Sequence, residues 1–232
     1  MHVLISGASI AGPALAYWLD RYGFDVTVVE KAPGPRPGGQ AVDFKGRTHR
    51  TVLERMGVWE EVQRRRTGRS DTVYLDGSGR RLAVMSGEFT GGDVEILRGD
   101  IAAILYERTA GSCEYRFGDS ITALAETAGG VLAEFEHGPA RRFGLVVGAD
   151  GIHSRVRRLA FGPGRDYVRH LGYYYCVAGN TNTGRFMAPR TALGIRARNW
   201  FLGSRAFGLM TRYGDNAARD IDLADYPARP RG

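Results

Sequence analysis

The chain has 232 residues, a formal net charge of +7 and 43% hydrophobic residues, enough for one large packed domain or two small ones, which excludes charge-rich disorder. Lys31 and Lys45 are the only lysines, so the basicity is arginine, scattered rather than gathered into the stripe that nucleic acid requires. No apolar run is long enough to span a bilayer, no basic n-region leads an apolar segment, and Cys113 and Cys176 lie far apart without metal-ligand spacing, so no membrane contact, zinc site or disulfide framework is expected.

The pattern "HVLIS" over His2–Ser6 predicts a short buried strand that runs into Gly7. Apolar residues at helical spacing (Leu15, Trp18, Leu19, Tyr22) predict a helix over 10–22, ended by Gly23 at its C-terminus. "DVTVVE", Asp25–Glu30, predicts a second strand parallel to the first, so the opening is a βαβ unit. Residues 31–40, "KAPGPRPGGQ", are too rich in Pro and Gly for regular structure. A helix is predicted over 47–56, stopped near Gly57. Arg64, Arg65, Arg66 and Arg69 then read as a solvated helix terminus. Two strands over 71–76 and 81–85 flank the turn "GSGR" as a β-hairpin. A helix follows over 98–108, then strands in "CEYRF", "SITALAET", "GVLAEFE" and "RRFGLVVGAD", then a short helix over 153–161. From 167 to 213 the chain is rich in Tyr, Phe and Trp with turn residues between, which reads as a β-rich portion. The two cysteines are expected to be reduced thiols, and the protein cytoplasmic.

The opening unit carries "GASIAG", close to the G-x-G-x-x-G dinucleotide fingerprint, with Ser9 at the middle glycine. Gly7 permits the tight turn out of the strand and Gly12 lets the helix pack close to the sheet. The middle position faces a pyrophosphate seated on the helix N-terminus, and a serine hydroxyl there can itself donate to phosphate. Pro13 falls in the first helical turn, where a missing N–H costs little. Glu30 ends the second strand; its carboxylate suits ribose hydroxyls and repels a 2′-phosphate, which favours FAD or NAD over NADP at this site. The histidines (His2, His49, His137, His153 and His170) form no Ser-His-Asp or Cys-His arrangement, so no catalytic side chain is assigned.

"GADGIHSRVRR", 148–158, follows the apolar "FGLVV". Together with the opening βαβ unit it resembles the single-component FAD-dependent aromatic hydroxylases, the para-hydroxybenzoate hydroxylase-like and tetracycline-inactivating monooxygenases. Their Asp-Gly motif, which serves both FAD and NADPH, is similar to Asp150-Gly151, with Ser154 and Arg157 also matching. "ILRGDIAAIL" resembles the family's arginine-led helix, which makes Arg98 a flavin contact. "RPGGQAVDFKG" resembles the segment beside the flavin ring, with Asp43 as a flavin-contacting aspartate and Arg36 as an NADPH-contacting arginine.

The resemblance implies an α/β chain: a Rossmann-like FAD-binding domain of GR2 type with a β-rich substrate-domain portion. It divides the chain into a first FAD-binding segment (1–66), a substrate-domain hairpin (67–91), a second FAD-binding segment (92–162) and an incomplete β-rich substrate portion (163–232). The cofactor implied is FAD, with NADPH or NADH as co-substrate. The partners implied are molecular oxygen and an aromatic or polyketide-like small molecule, hydroxylated through a C4a-hydroperoxyflavin. Aromatic strands such as "YYYCVA" and "NWFLG" read either as a wall of the substrate pocket or as ordinary β-core. One departure stands out. The family's third motif, a Gly-Asp after an apolar strand, has only "YGDNAARD" as a candidate, which reads as a hairpin turn. The chain is therefore expected to be shortened relative to the family. The alternatives are a non-hydroxylating flavoprotein of the same fold, or an inactive or partner-dependent remnant that binds only nucleotide or ligand.

Overall fold

A computed structural model describes residues 1–68, 71–76, 78–87 and 92–171. The aromatic stretch, Cys176 and "YGDNAARD" therefore lie outside the described residues. The described chain falls into two compact units: Met1–Gly38 with Arg98–His170, and Gly39–Leu97. The first cut falls inside the segment read from the sequence as 1–66.

The first unit is built on a parallel sheet of β1 (His2–Ser6), β2 (Asp25–Glu30), β7 (Glu114–Phe117) and β11 (Leu145–Gly148), in the order β11-β1-β2-β7. β1 lies between β2 and β11 and is buried on both faces, which is why "HVLIS" is a continuous apolar run rather than an alternating one. Helix α1 (Ala11–Arg21) crosses between β1 and β2. Gly23, at φ +80°, ends it by donating to Asp20 O, and Phe24 N donates to Leu19 O. One core cluster gathers Val3, Ile5, Ala16, Val26, Val28 and Cys113 on the α1 side of the sheet.

An antiparallel meander of β8 (Ile121–Thr127), β9 (Gly130–Phe135) and β10 (Arg141–Phe143) follows β7. It supplies Ile121, Ala133, Phe135 and Phe143 to a second cluster with Leu4, Val29 and Val156. The continuous strand expected in "RRFGLVVGAD" is two strands, broken at Gly144. Its N–H bonds His2 O, and a Cβ there would lie 2.5 Å from Met1 Cγ. Glycine thus lets the chain leave the meander and enter the parallel sheet hard against the N-terminus. Helix α4 (Arg98–Thr109) precedes β7, and α5 (Arg155–Phe161) follows β11.

The second unit contains β3 (Ala41–Phe44) paired antiparallel with β6 (Val94–Leu97), helices α2 (Gly46–Arg55) and α3 (Trp59–Arg64), and the hairpin β4 (Thr72–Leu75) and β5 (Arg81–Met85). The hairpin agrees with the sequence pattern, and the arginine run read as a helix terminus sits at the end of α3, whose own span the pattern does not give; β3 and β6 have no counterpart in it. Arg64 and Arg65 both pair with Glu61 one turn back, so the arginine run closes the end of α3. Among the described residues, no helix is long and apolar enough to cross a membrane.

Candidate dinucleotide site

The C-terminal ends of β1, β2 and β11 meet at one point, in the register Ser6↔Val29 and Ser6↔Gly148. Gly7 turns the chain there at φ +110°, donating its N–H to Val29 O at 2.8 Å. A Cβ on Gly7 would lie 2.5 Å from Ala149 O, and one on Gly12 would lie 1.8 Å from Gly7 O. Both fingerprint glycines are therefore demanded by close backbone approach, as the sequence pattern predicts.

The N-terminus of α1 has no side-chain cap and no acidic residue in its first turn. The positive end of its dipole and its leading N–H groups are thus left for an anion. Across from it, Arg98 at the head of α4 donates from Nε to Ser9 Oγ at 3.2 Å. Gly99 holds this helix start under the Pro/Gly loop: its N–H bonds Gly38 O at 2.7 Å, and a Cβ would lie 2.5 Å from Gly38 N. Sequence reasoning missed Gly99. Its signal is a glycine at the second position of a helix, where only close packing justifies the loss of helix propensity.

Glu30 does more than the sequence reading gives it. Its Oε2 accepts from Ala8 N at 2.9 Å and its Oε1 from Ala32 N at 3.0 Å, so the carboxylate ties the glycine turn to the end of β2. Each oxygen keeps a further lone pair for a ribose hydroxyl. Arg36 is 70% exposed and its Nη2 lies 4.0 Å from Glu30 Oε1. The structure thus brings Arg36 to the Glu30 end of the turn.

Asp150 and Gly151 leave β11 toward α5. Asp150 Oδ2 accepts from Arg155 N at 2.7 Å and Val156 N at 3.2 Å, and Ser154 Oγ caps the same helix through Arg157 N at 2.9 Å. Gly151 takes φ +78°. The second carboxylate oxygen of Asp150, Oδ1, is buried with no hydrogen-bond partner among the described residues, a position that an added donor would satisfy. Arg155, beside the motif, is engaged elsewhere: its Nη1 donates to Ser120 Oγ at 2.7 Å and lies 3.5 Å from Glu136. Sequence reasoning missed this tie to the meander, because Ser120 and Glu136 are separated from Arg155 by long stretches of chain. An open cavity of about 280 Å³ adjoins the motif, lined in part by His153, Arg157, Arg158 and Arg165.

Gly7, Ser9, Gly12, Glu30, Arg36, Arg98, Asp150 and Gly151 all belong to the first unit. Asp43 belongs to the second, on β3, where its Oδ1 accepts from Gly92 N at 3.0 Å. The first-unit residues present an uncapped helix N-terminus, a guanidinium, a serine hydroxyl and a carboxylate around a glycine turn. That donor and acceptor set fits a ribose linked to a diphosphate, as FAD carries.

A family model described as FAD binding domain matches residues 1–168. The chain belongs to the FAD-binding domain family. The fold is accordingly the α/β FAD-binding fold of the aromatic hydroxylases, and FAD is the cofactor of the family. This FAD-binding domain is 44% identical over 181 residues to an uncharacterized protein of Mycobacterium tuberculosis, covering 75% of the chain and 48% of that protein. It is 38% identical over 177 residues to a flavin-dependent monooxygenase of Legionella longbeachae, covering 74% of the chain and 45% of the relative. Among solved structures it is similar to the tetracycline destructase Tet(55), at TM-score 0.60 and 38% identity, over 68% of the chain and 40% of that protein. Tet(51) matches at TM-score 0.60 and 35% identity, over 69% and 41%. The chain spans about half the length of the curated relatives it matches.

Proposed function

We propose that the chain is the FAD-binding portion of an FAD-dependent, NAD(P)H-driven monooxygenase that hydroxylates an aromatic or polyketide-like small molecule with molecular oxygen, in the cytoplasm. The observation that carries this reading is the convergence of the Gly7–Gly12 turn, Ser9, Arg98 and Glu30 at the carboxyl ends of the parallel strands, the place where open α/β sheets bind dinucleotides. The names of the monooxygenase relatives support the reaction class.

In this reading the Gly7 turn and the α1 N-terminus seat the diphosphate, Arg98 neutralises it, and Glu30 accepts from the adenosine ribose. Arg36 stands at the same end and covers the ribose rather than a nicotinamide. Asp150 Oδ1 accepts from a hydroxyl of the cofactor's ribityl chain, and Gly151 lets the backbone approach it. Asp43, on the second unit, is assigned to the flavin ring through the resemblance alone. The arginines of the cavity beside α5 offer planar, permanently charged forks to the phosphates of NAD(P)H. Bound FAD would supply hydride acceptance and oxygen activation; the protein's role is to hold it and to shield it from water.

The test is to add FAD to the purified chain and measure NAD(P)H oxidation with and without oxygen, with a tetracycline or a phenolic polyketide present. Oxygen-dependent oxidation with a product heavier by one oxygen atom supports the proposal. Because the chain spans only about half of its curated relatives, a second reading is a flavin-binding portion that does not turn over alone. A bound-flavin spectrum without oxygen-dependent oxidation supports that second reading and refutes the first for this chain.

A further inference from the structure

Ser9 stands where the glycine-rich pattern has its middle glycine, and its side chain makes a specific contact. Its Oγ accepts from Arg98 Nε at 3.2 Å, joining the turn after β1 to the head of α4 across 89 residues of sequence. Nε is the guanidinium donor that lies outside the terminal fork, so engaging it leaves both Nη groups free as a planar pair. A hydroxyl that accepts from a guanidinium also keeps its own O–H proton free to donate, and the neighbouring charge makes it a better donor.

The backbone at Arg98 is already fixed, since the next residue, Gly99, is clamped against the 36–38 backbone. What stays undetermined is the long side chain of Arg98, and Ser9 holds its guanidinium at Nε. A glycine at position 9 would leave that side chain to search its rotamers.

We infer that Ser9 is a positioning residue for Arg98, and that the Ser9 hydroxyl and the Arg98 fork act as one unit on the diphosphate of the cofactor. This rests on the site reading proposed above. It goes beyond that reading by giving the departure from the glycine pattern a function: the serine preorganises the arginine rather than merely being tolerated. Preorganised donors lose less freedom when the anion arrives.

The test is a double-mutant cycle in the 232-residue chain, read by the dissociation constants of FAD and ADP from fluorescence titration, with circular dichroism as the check on folding. Ser9→Ala is expected to weaken both ligands about 10-fold, the loss of one charge-assisted hydrogen-bond unit. Ser9→Gly restores the usual fingerprint residue without strain, and is expected to lose the same amount; it serves if the alanine variant misfolds. In an Arg98→Ala background, either Ser9 substitution is expected to cost only about 2- to 3-fold, what remains being the hydroxyl's own donation to the diphosphate. Wild-type affinity in both Ser9 variants, or a loss of full size in the Arg98→Ala background, would overturn the inference while leaving the site intact. Absence of saturable FAD and ADP binding to the unsubstituted chain would overturn the site reading, and this inference with it.

Discussion

The observed backbone tie of Glu30 and its proposed ribose contact can be separated by one isosteric change, Glu30→Gln. The native side chain is 11% exposed, and both its oxygens accept from backbone N–H groups, Ala8 at 2.9 Å and Ala32 at 3.0 Å. Glutamine keeps the shape but turns one oxygen into an NH₂, so one of those two N–H donors must face another donor. Leaving a largely buried donor unsatisfied costs about 1–3 kcal/mol. Against a typical domain stability of about 5–15 kcal/mol, that loss is easily resolved by urea denaturation of the chain without nucleotide. The same change should weaken FAD about 10- to 100-fold, because a ribose hydroxyl loses a charged acceptor. A ligand-only role predicts weaker FAD with nucleotide-free stability unchanged within about 0.5 kcal/mol. That result would refute the claim that Glu30 ties the turn to β2. Loss of stability with FAD affinity preserved would instead refute the ribose contact.

Arg36→Ala is expected to raise the FAD dissociation constant a few-fold and to leave the NAD(P)H concentration needed for flavin reduction unchanged; the opposite pattern would return Arg36 to the nicotinamide. Burial pushes the Cys113 thiol above its ordinary range, so it should resist a thiol reagent near neutral pH in the folded chain and react on unfolding; fast labelling of native protein would contradict its place in the core. The hydrogen bond from Arg141 holds the Glu114 carboxyl below its ordinary value. The stability this contributes is present above the unfolded-state pKa and is lost as pH falls through the lower folded one. Glu114→Gln should therefore flatten the acid limb of the stability–pH curve, and an unchanged acid slope would sink the point.

The first unit is legible in the sequence because its signals are local. A strand, a glycine turn, a helix and a second strand follow one another within residues 2–30, and each has a strong apolar period or a glycine that the backbone demands. β3 and β6 are not legible. "AVDF" is four residues with an alternating half-exposed pattern, and its partner "VEIL" lies some 50 residues away, so pairing rather than propensity makes both strands. α3 is six residues, too short to show a helical period, and it is closed by the Glu61 pairs that also explain the arginine run. At the site, the glycines, Glu30, Arg98 and Asp150 can be picked out by motif, but what they touch cannot. That Glu30 binds the turn and that Ser9 bonds Arg98 are facts of tertiary contact, and that Asp150 caps α5 depends on the turn at Gly151 that the motif alone does not describe.

Sheet topology explains why segments so far apart in sequence share one site. β1 pairs with β2, its neighbour through α1, on one side, and on the other with β11, which the chain reaches only after the second unit, α4 and the meander. Strand order therefore reverses at β1, and a crevice opens at the carboxyl ends where the two connections diverge. Gly7 lies in that crevice because it is the first residue past β1, and it lies against Ala149 because that is the first residue past β11. Any side chain at position 7 would force the exits of β1 and β11 apart, and with them the α1 N-terminus and the Asp150 cap of α5. The glycine fingerprint thus acts on both walls of the site at once. This is the physical reason that the middle position, whose side chain meets Arg98 rather than a strand exit, is the one where this chain can carry a serine.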